Sequence, residues 1–391
     1  MPRYDAVVIG SGQAGNPLSQ KRADQGWTVA LIEKENLGGT CVNTGCTPTK
    51  TMIASAQVAH YARHADVWGV HAGAVSVDLA EVVARKDRIV SQWRSGIDRK
   101  IAARNNLHLI RGAAQFIGPH RIRVNQEEIE SERIFINTGA RPAIPPLRGL
   151  DRIDYLTNAS ILQLRELPAQ LLVIGGGYIG LEFGQMFRRF GSDVTVVHRD
   201  DHILPREDAD VTTELQKALE NEGIRFLLRA RPTSVDKQDG QIVLKVETAG
   251  GSETVRGSHL LVATGRRPNT DDLGLESAGV QLTPQGFIKV NGRLETNVSG
   301  IWALGDVKGG PAFTHISYND YQIVYANLIE GKNLTTDHRL VPYAVFTDPQ
   351  LGRVGLTEKE ARVTGHKLKV GKIPMSWVAR AIERDETAGL M

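Results

Sequence analysis

Cysteine is almost missing from this 391-residue chain: there are only two, Cys41 and Cys46, and both lie in the stretch GGTCVNTGCTPTK. Long apolar runs are missing as well; no window approaches the roughly 18 consecutive apolar residues of a membrane span. With no Lys/Arg block, no basic stripe interleaved with aromatics and a net charge of only +3, nucleic acid is not an expected partner. The opening MPRYDAVVIGSGQAG has no basic segment leading into an apolar core and cleavage site, so a cytoplasmic location is expected. Among 11 histidines there is no clustered pair, and a closed zinc site needs about four ligands. No resident metal is therefore expected. Reducing conditions argue against a structural disulfide. The two cysteines are left as separate thiols, half of a metal site, or a redox pair, and a redox pair needs a second electron carrier nearby.

What is present is an ordinary globular composition, 41% hydrophobic and 23% charged, long enough for two or three domains. YDAVVIG reads as a buried strand. It runs into Gly10, Gly12 and Gly15 in GxGxxG spacing and then a helix to about Gln25, with Pro17 harmless in its first turn. WTVALIEKE follows as a second strand ending at Glu33. An acid there can accept hydrogen bonds from an adenosine ribose, while the glycines let backbone approach a pyrophosphate at the helix N-terminus.

The same unit recurs in AQLLVIGGGYIGLEFGQMFRRFGSDVTVVHRDD, with Gly175, Gly177 and Gly180. Each copy has a similar exit, FINTGARP at 135–142 and LVATGRRPN at 261–269. Two dinucleotide sites imply two cofactors, between which electrons can pass. The second copy ends its strand pair in His198 and Arg199 rather than an acid. An arginine there accommodates a 2′-phosphate, which favours NADPH, with NADH as the alternative.

Together the cysteine motif, both glycine motifs, INTGARP, ATGRRPN and GIWALGDV resemble the FAD-dependent pyridine nucleotide-disulfide oxidoreductases, the family of dihydrolipoamide dehydrogenase, glutathione reductase and mercuric reductase. The likeness runs from about residue 4 to the end. FTHISYND and PYAVFTDPQLGRVGLTEKEA are most similar to bacterial flavoproteins of the mercuric reductase-like kind. The fold this implies is α/β: two Rossmann-like dinucleotide-binding domains, for FAD and NAD(P)H, plus the start of an α+β interface domain. The expected FAD domain is discontinuous, 1–145 and 270–336, with an NAD(P)H domain at 146–269 and a partial interface domain at 337–391.

The resemblance also implies roles. Cys46 would exchange electrons with the flavin and Cys41 would carry out thiol-disulfide interchange with substrate. Lys50 would stabilise negative charge on the reduced flavin, with Glu182 as its partner. For FAD the implied contacts are Gly10, Gly12, Gly15, Glu33, Gly39, Thr40, Lys50, Ala114, Thr138, Gly139 and Asp306, the last toward the ribityl chain. For the nicotinamide nucleotide they are Gly175, Gly177, Tyr178 as an aromatic gate, Gly180, His198, Arg199 and Gly265. His315 in FTHIS carries no expected chemistry.

Residues 77–104 read as a long amphipathic helix packed into a core, and 116–139 as a small β-meander. Family interface domains make a homodimer and end in a His-Pro…Glu segment whose histidine serves the partner subunit's cysteines. This chain has no His-Pro pair, so the interface domain is read as incomplete and the dimer is in question. The expected acceptor is a small disulfide, a soft metal ion such as Hg(II) or Cu(II), or a quinone. A diaphorase that bypasses the cysteines, and a flavin-bearing redox sensor without turnover, are the competing readings.

Overall fold

The computed structural model describes residues 1–391, which fall into two compact units: 1–48, 87–141 and 266–341 in one, and 49–86, 142–265 and 342–391 in the other. The first is built on a five-stranded parallel sheet. Its order is Ile301–Ala303, Ile134–Ile136, Ala6–Ile9, Val29–Glu33, Leu107–Arg111. Ala6–Ile9 and Val29–Glu33 are buried along their whole length, which explains continuous apolar runs in place of alternation, since a central parallel strand is covered on both faces. Helices Gly15–Ala23 and Thr314–Ile329 pack together in this unit.

Its smaller sheet is the expected meander, Ala114–Gly118, Arg121–Val124 and Glu127–Glu130, all antiparallel. One part of the 116–139 segment goes elsewhere: Ile134–Ile136 joins the parallel sheet between Ala6–Ile9 and Ile301–Ala303. Its three residues are all fully buried, a pattern an alternating meander strand cannot have.

In the second unit a four-stranded parallel sheet runs Ile224–Leu227, Asp193–Val197, Gln170–Ile174, His259–Val262. Helices Tyr178–Phe190 and Ala209–Asn221 pack on it. A three-stranded antiparallel sheet, Arg231–Gln238, Gln241–Thr248 and Gly251–Gly257, belongs to the same unit. The amphipathic segment forms the helix Leu79–Ala102, with Leu79, Val83, Val90, Ile97 and Ile101 buried. No helix is long and apolar enough to cross a membrane.

The two strand–turn–helix junctions are near copies. A Cβ on Gly15 would stand 2.1 Å from the Gly10 carbonyl oxygen, and one on Gly180 would stand 2.0 Å from that of Gly175. Gly10 and Gly175 themselves have φ of 99° and 116°, in the region L side chains avoid. The obstacles are backbone atoms, so nothing small can yield. Gly180→Ala should therefore lower the thermal unfolding midpoint by several degrees, the scale of ~1–3 kcal/mol overpacking. Gly184→Ala on the same helix should hold or raise it, because its nearest contact would be an ordinary 3.6 Å to Val194 and alanine favours helix. Thermal scans of the two variants check the contrast.

Candidate active site

In the first unit the glycine loop is held from two sides. Glu33, at the end of its strand and buried, accepts from the Ser11 backbone N–H at 3.0 Å and the Ser11 hydroxyl at 2.7 Å through Oε2, and from the Glu35 N–H at 2.9 Å through Oε1. Asn137 accepts from the Gly15 N–H at 2.8 Å and donates to the Leu304 carbonyl at 3.0 Å. Ser11 and Asn137 were not among the expected residues, although Asn137 directly precedes Thr138 in INTGARP. Oε2 is thereby filled, and one lone pair remains on Oε1 for a further donor, since each carboxylate oxygen accepts about two hydrogen bonds.

The cysteine segment sits directly on this loop. A Cβ on Gly39 would lie 2.7 Å from the Gly12 Cα, so a side chain at Gly39 would keep the two stretches of backbone from approaching so closely. Gly39 opens the short helix Gly39–Asn43, which carries Thr40 and Cys41, and Cys46 begins the helix Cys46–Arg63. Cys41 and Cys46 are both half-buried, and Cys46 Sγ lies 3.0 Å from Thr314 Oγ1. The next residue, His315, of which no chemistry was expected, stacks its ring on Phe313.

The other residues expected at this cradle are placed as follows. Asp306 lies in the turn Gly305–Lys308, with Arg266 Nε 3.7 Å from its Oδ2. Burial pushes the Asp306 carboxyl above its ordinary range, against the opposing pull of Arg266 and Lys308. Arg266 Nε is itself buried without a hydrogen-bond acceptor. The neighbouring Asp320, fully buried, accepts from the Gly305 N–H at 2.9 Å and pairs with Lys308 at 3.3 Å and Arg339 at 2.6 Å. Thr138 donates to the Asn269 carbonyl at 2.9 Å. Ala114 is buried at the start of its strand, and a Cβ on Gly139 would meet open space.

The second unit repeats the loop with one exchange. The Gly10 N–H donates to Ile32 and the Gly175 N–H to Val197, so His198 stands where Glu33 stands. Its Nδ1 accepts from the Gly176 N–H at 3.1 Å, the counterpart of the Ser11 bond. Burial lowers the His198 pKa, which keeps the ring neutral and able to accept. His198 is therefore a neutral support for the loop, and the cation at this strand end is Arg199, 82% exposed, with Asp200 3.6 Å away. Ala263 takes the place of Asn137, since a Cβ on Gly175 would meet the Ala263 carbonyl as one on Gly10 meets that of Asn137. Cβ atoms on Gly177 and Gly265 would meet open space, leaving room for a ligand at the start of the helix that Tyr178 opens.

Lys50 and Glu182 come together within this unit. Lys50 Nζ is 2.6 Å from Glu182 Oε2, with side-chain exposures of 32% and 6%. The other carboxylate oxygen accepts from the Phe346 N–H at 2.9 Å, and the Phe346 ring lies 4.4 Å from Lys50 Nζ. Both oxygens of the buried carboxylate are thus occupied, which a buried charge requires. Phe346 was not anticipated; its part is a backbone donor and a ring face, neither of which leaves a sequence signal.

Two glycine-loop cradles, one with a carboxylate and one without, and a cysteine pair resting on the first define a two-cofactor redox flavoprotein. The chain belongs to the pyridine nucleotide-disulphide oxidoreductase family, whose description matches residues 4–320, with the dimerisation domain of the same family matching 341–391. Members bind FAD and take electrons from NAD(P)H. The chain is 37% identical to a mercuric reductase of Lysinibacillus sphaericus over 99% of this chain and 71% of that one. It is 39% identical to a dihydrolipoyl dehydrogenase of Thermus scotoductus, covering 100% and 84%. The solved Cu(II) complex of the HOCl-induced flavoprotein disulfide reductase RclA from Escherichia coli superposes with a TM-score of 0.90 at 38% identity, covering 100% of this chain and 86% of that one.

Because Asp306 is raised in the fold, the folded state disfavours its charged form. The penalty grows as pH rises from the ordinary aspartate value of about 3.9 and is complete above the raised one. Asp306→Asn should therefore stabilise the cofactor-free protein at pH 7, with the gain disappearing as pH falls toward 4 and below. Urea unfolding of both proteins across that range checks it.

Proposed function

We propose that this chain moves two electrons from NADPH through FAD to a Cys41–Cys46 disulfide and on to a small disulfide or a soft metal ion. The observation that carries the reading is the packing of the cysteine segment on the first glycine loop, Gly39 against Gly12, which sets the cysteines beside the expected flavin cradle. Segments 1–145 and 270–336 are assigned to FAD, 146–269 to NADPH, and 337–391 to a homodimer interface. The last segment carries the exposed apolar side chains Val354, Val363 and Trp377.

FAD fits the first cradle. Gly10, Gly12 and Gly15 give backbone access to its pyrophosphate, Glu33 has a lone pair left on Oε1 for a ribose hydroxyl, and Asp306 with the unsatisfied Arg266 Nε suits the ribityl hydroxyls. When bound, FAD supplies a two-electron acceptor for hydride and a donor to the disulfide. Lys50, fixed by Glu182 and Phe346, would hold positive charge for the reduced ring. In the second cradle the neutral His198 supports the loop without offering a negative charge, and Arg199 would receive the 2′-phosphate.

On reduction the Cys41–Cys46 bond breaks, two electrons enter, Cys46 is held as the thiolate and Cys41 takes up a proton. Cys41 then loses that proton and attacks the substrate disulfide, expelling one substrate thiolate. Cys46 attacks the Cys41 sulfur, which restores the pair and releases the second thiol. With Hg(II), the dithiol binds the metal as Cys41 loses its proton, and both electrons pass to that one ion as the disulfide re-forms; with Cu(II), two ions each take one electron and leave as Cu(I).

Thiol counting tests the relay. The oxidised FAD-loaded protein, reduced anaerobically with NADPH, desalted and alkylated in denaturant, should gain two alkylated cysteines per chain. Consumption of NADPH with no new thiols would favour the diaphorase. Arg199→Ser should raise the KM for NADPH about tenfold, the scale of one charge-assisted contact, and leave that for NADH unchanged; steady-state kinetics with both nucleotides reads this directly.

A further inference from the structure

The hydroxyl of Thr314 is 3.0 Å from Cys46 Sγ, within one compact unit. Thr314 is the first residue of the helix Thr314–Ile329, and the residue before it, Phe313, is extended and takes the N–H groups of Ile316 and Ser317 on its carbonyl. Further along, Asp320 pins this helix to the Gly305 backbone, Lys308 and Arg339. The hydroxyl is therefore carried on a fixed element, and a β-branched side chain has few χ1 choices.

We propose that Thr314 is a positioning residue for Cys46: its O–H donates to the sulfur and selectively stabilises the thiolate. The inference deepens the relay reading, in which Cys46 is the cysteine left ionised after reduction. The physical reason is an asymmetry. Between a thiol and a hydroxyl the contact is a weak neutral one, whereas a hydroxyl donating to a thiolate is charge-assisted and about twice as strong. A hydrogen bond given to the charged form lowers its pKa. Since a thiolate only accepts, the hydroxyl proton must then point at sulfur, which also fixes the sulfur's position. The titratable and charged groups on the elements concerned are Cys41 in the helix Gly39–Asn43; Lys50, His60, Tyr61 and Arg63 on the helix that Cys46 begins; and His315, Tyr318, Asp320, Tyr321 and Tyr325 on the helix that Thr314 begins. The Asp320 carboxylate is taken up by its own partners. The pair thus divides its labour: Cys46, with a hydroxyl donor, stays ionised, and Cys41 carries the exchange.

The test uses the FAD-loaded protein in a Cys41→Ser background, where Cys46 is the one remaining cysteine of the two in the sequence. Iodoacetamide alkylation is followed by mass spectrometry from pH 5 to 9. Adding Thr314→Val should move the midpoint of the rate–pH profile upward by about one unit, which is about a tenfold lower thiolate fraction on the acid side. Thr314→Ala should shift it likewise, and Thr314→Ser should restore the original midpoint. The plateau rate at high pH should be little changed in all. An unchanged or lowered midpoint in Thr314→Val and Thr314→Ala, with FAD retained, would overturn the proposal, as would a shift that Thr314→Ser does not reverse. Because alkylation needs no turnover and no acceptor, failure here is separable from failure of the NADPH thiol count.

Discussion

Everything in each cradle depends on how closely a helix can begin above the strand that feeds it. Gly15 and Gly180 bring the first helical turn so near the carbonyls of Gly10 and Gly175 that a methyl group would lie far inside van der Waals contact with the oxygen, at 2.1 and 2.0 Å. That approach points the free N–H groups of the helix start at the space where a phosphate would lie. In the first unit the same economy of side chains lets the cysteine segment in, because Gly39 meets Gly12 backbone to backbone. A redox pair can then rest on a cofactor loop without any side chain between them.

The second constraint is what stands at the end of the strand after the loop. Glu33 and His198 occupy matching places and make the same bond, accepting the N–H of the loop's second residue. They differ in charge. A carboxylate holds Ser11 and keeps spare acceptor capacity, while an imidazole held neutral by burial supports Gly176 and adds no negative charge. One structural job is done by two chemistries, and the two loops differ in whether the residue that holds them carries a negative charge.

Buried charge is handled consistently. Glu182 has both oxygens occupied, by Lys50 and by the Phe346 N–H. Asp320 has three donors around it, and Arg189 lies between Glu222 and Asp348. Asp306 is the exception: it is half-buried, its nearest cation is 3.7 Å away, and desolvation pushes its carboxyl upward.

The sequence by itself determined the two strand–glycine–helix units, the long helix at 79–102 and the place of both cysteines, because these rest on local rules: runs of buried β-branched residues, glycine spacing and 3.6-residue periodicity. It also brought Lys50 and Glu182 to notice, though only through likeness to a family. The tertiary structure decided which neighbours those residues have. Ile134–Ile136 left the meander for the parallel sheet because its burial on both faces depends on strands distant in sequence. Asn137, Thr314 and Phe346 gain their roles, each within its own unit, through contacts spanning 122, 268 and 164 residues. His198, legible in the sequence only as standing where the first copy has an acid, is a neutral acceptor because its role is set by the Gly176 N–H and by desolvation. Local periodicity carries no record of such long-range hydrogen bonds, so only the folded chain could reveal them.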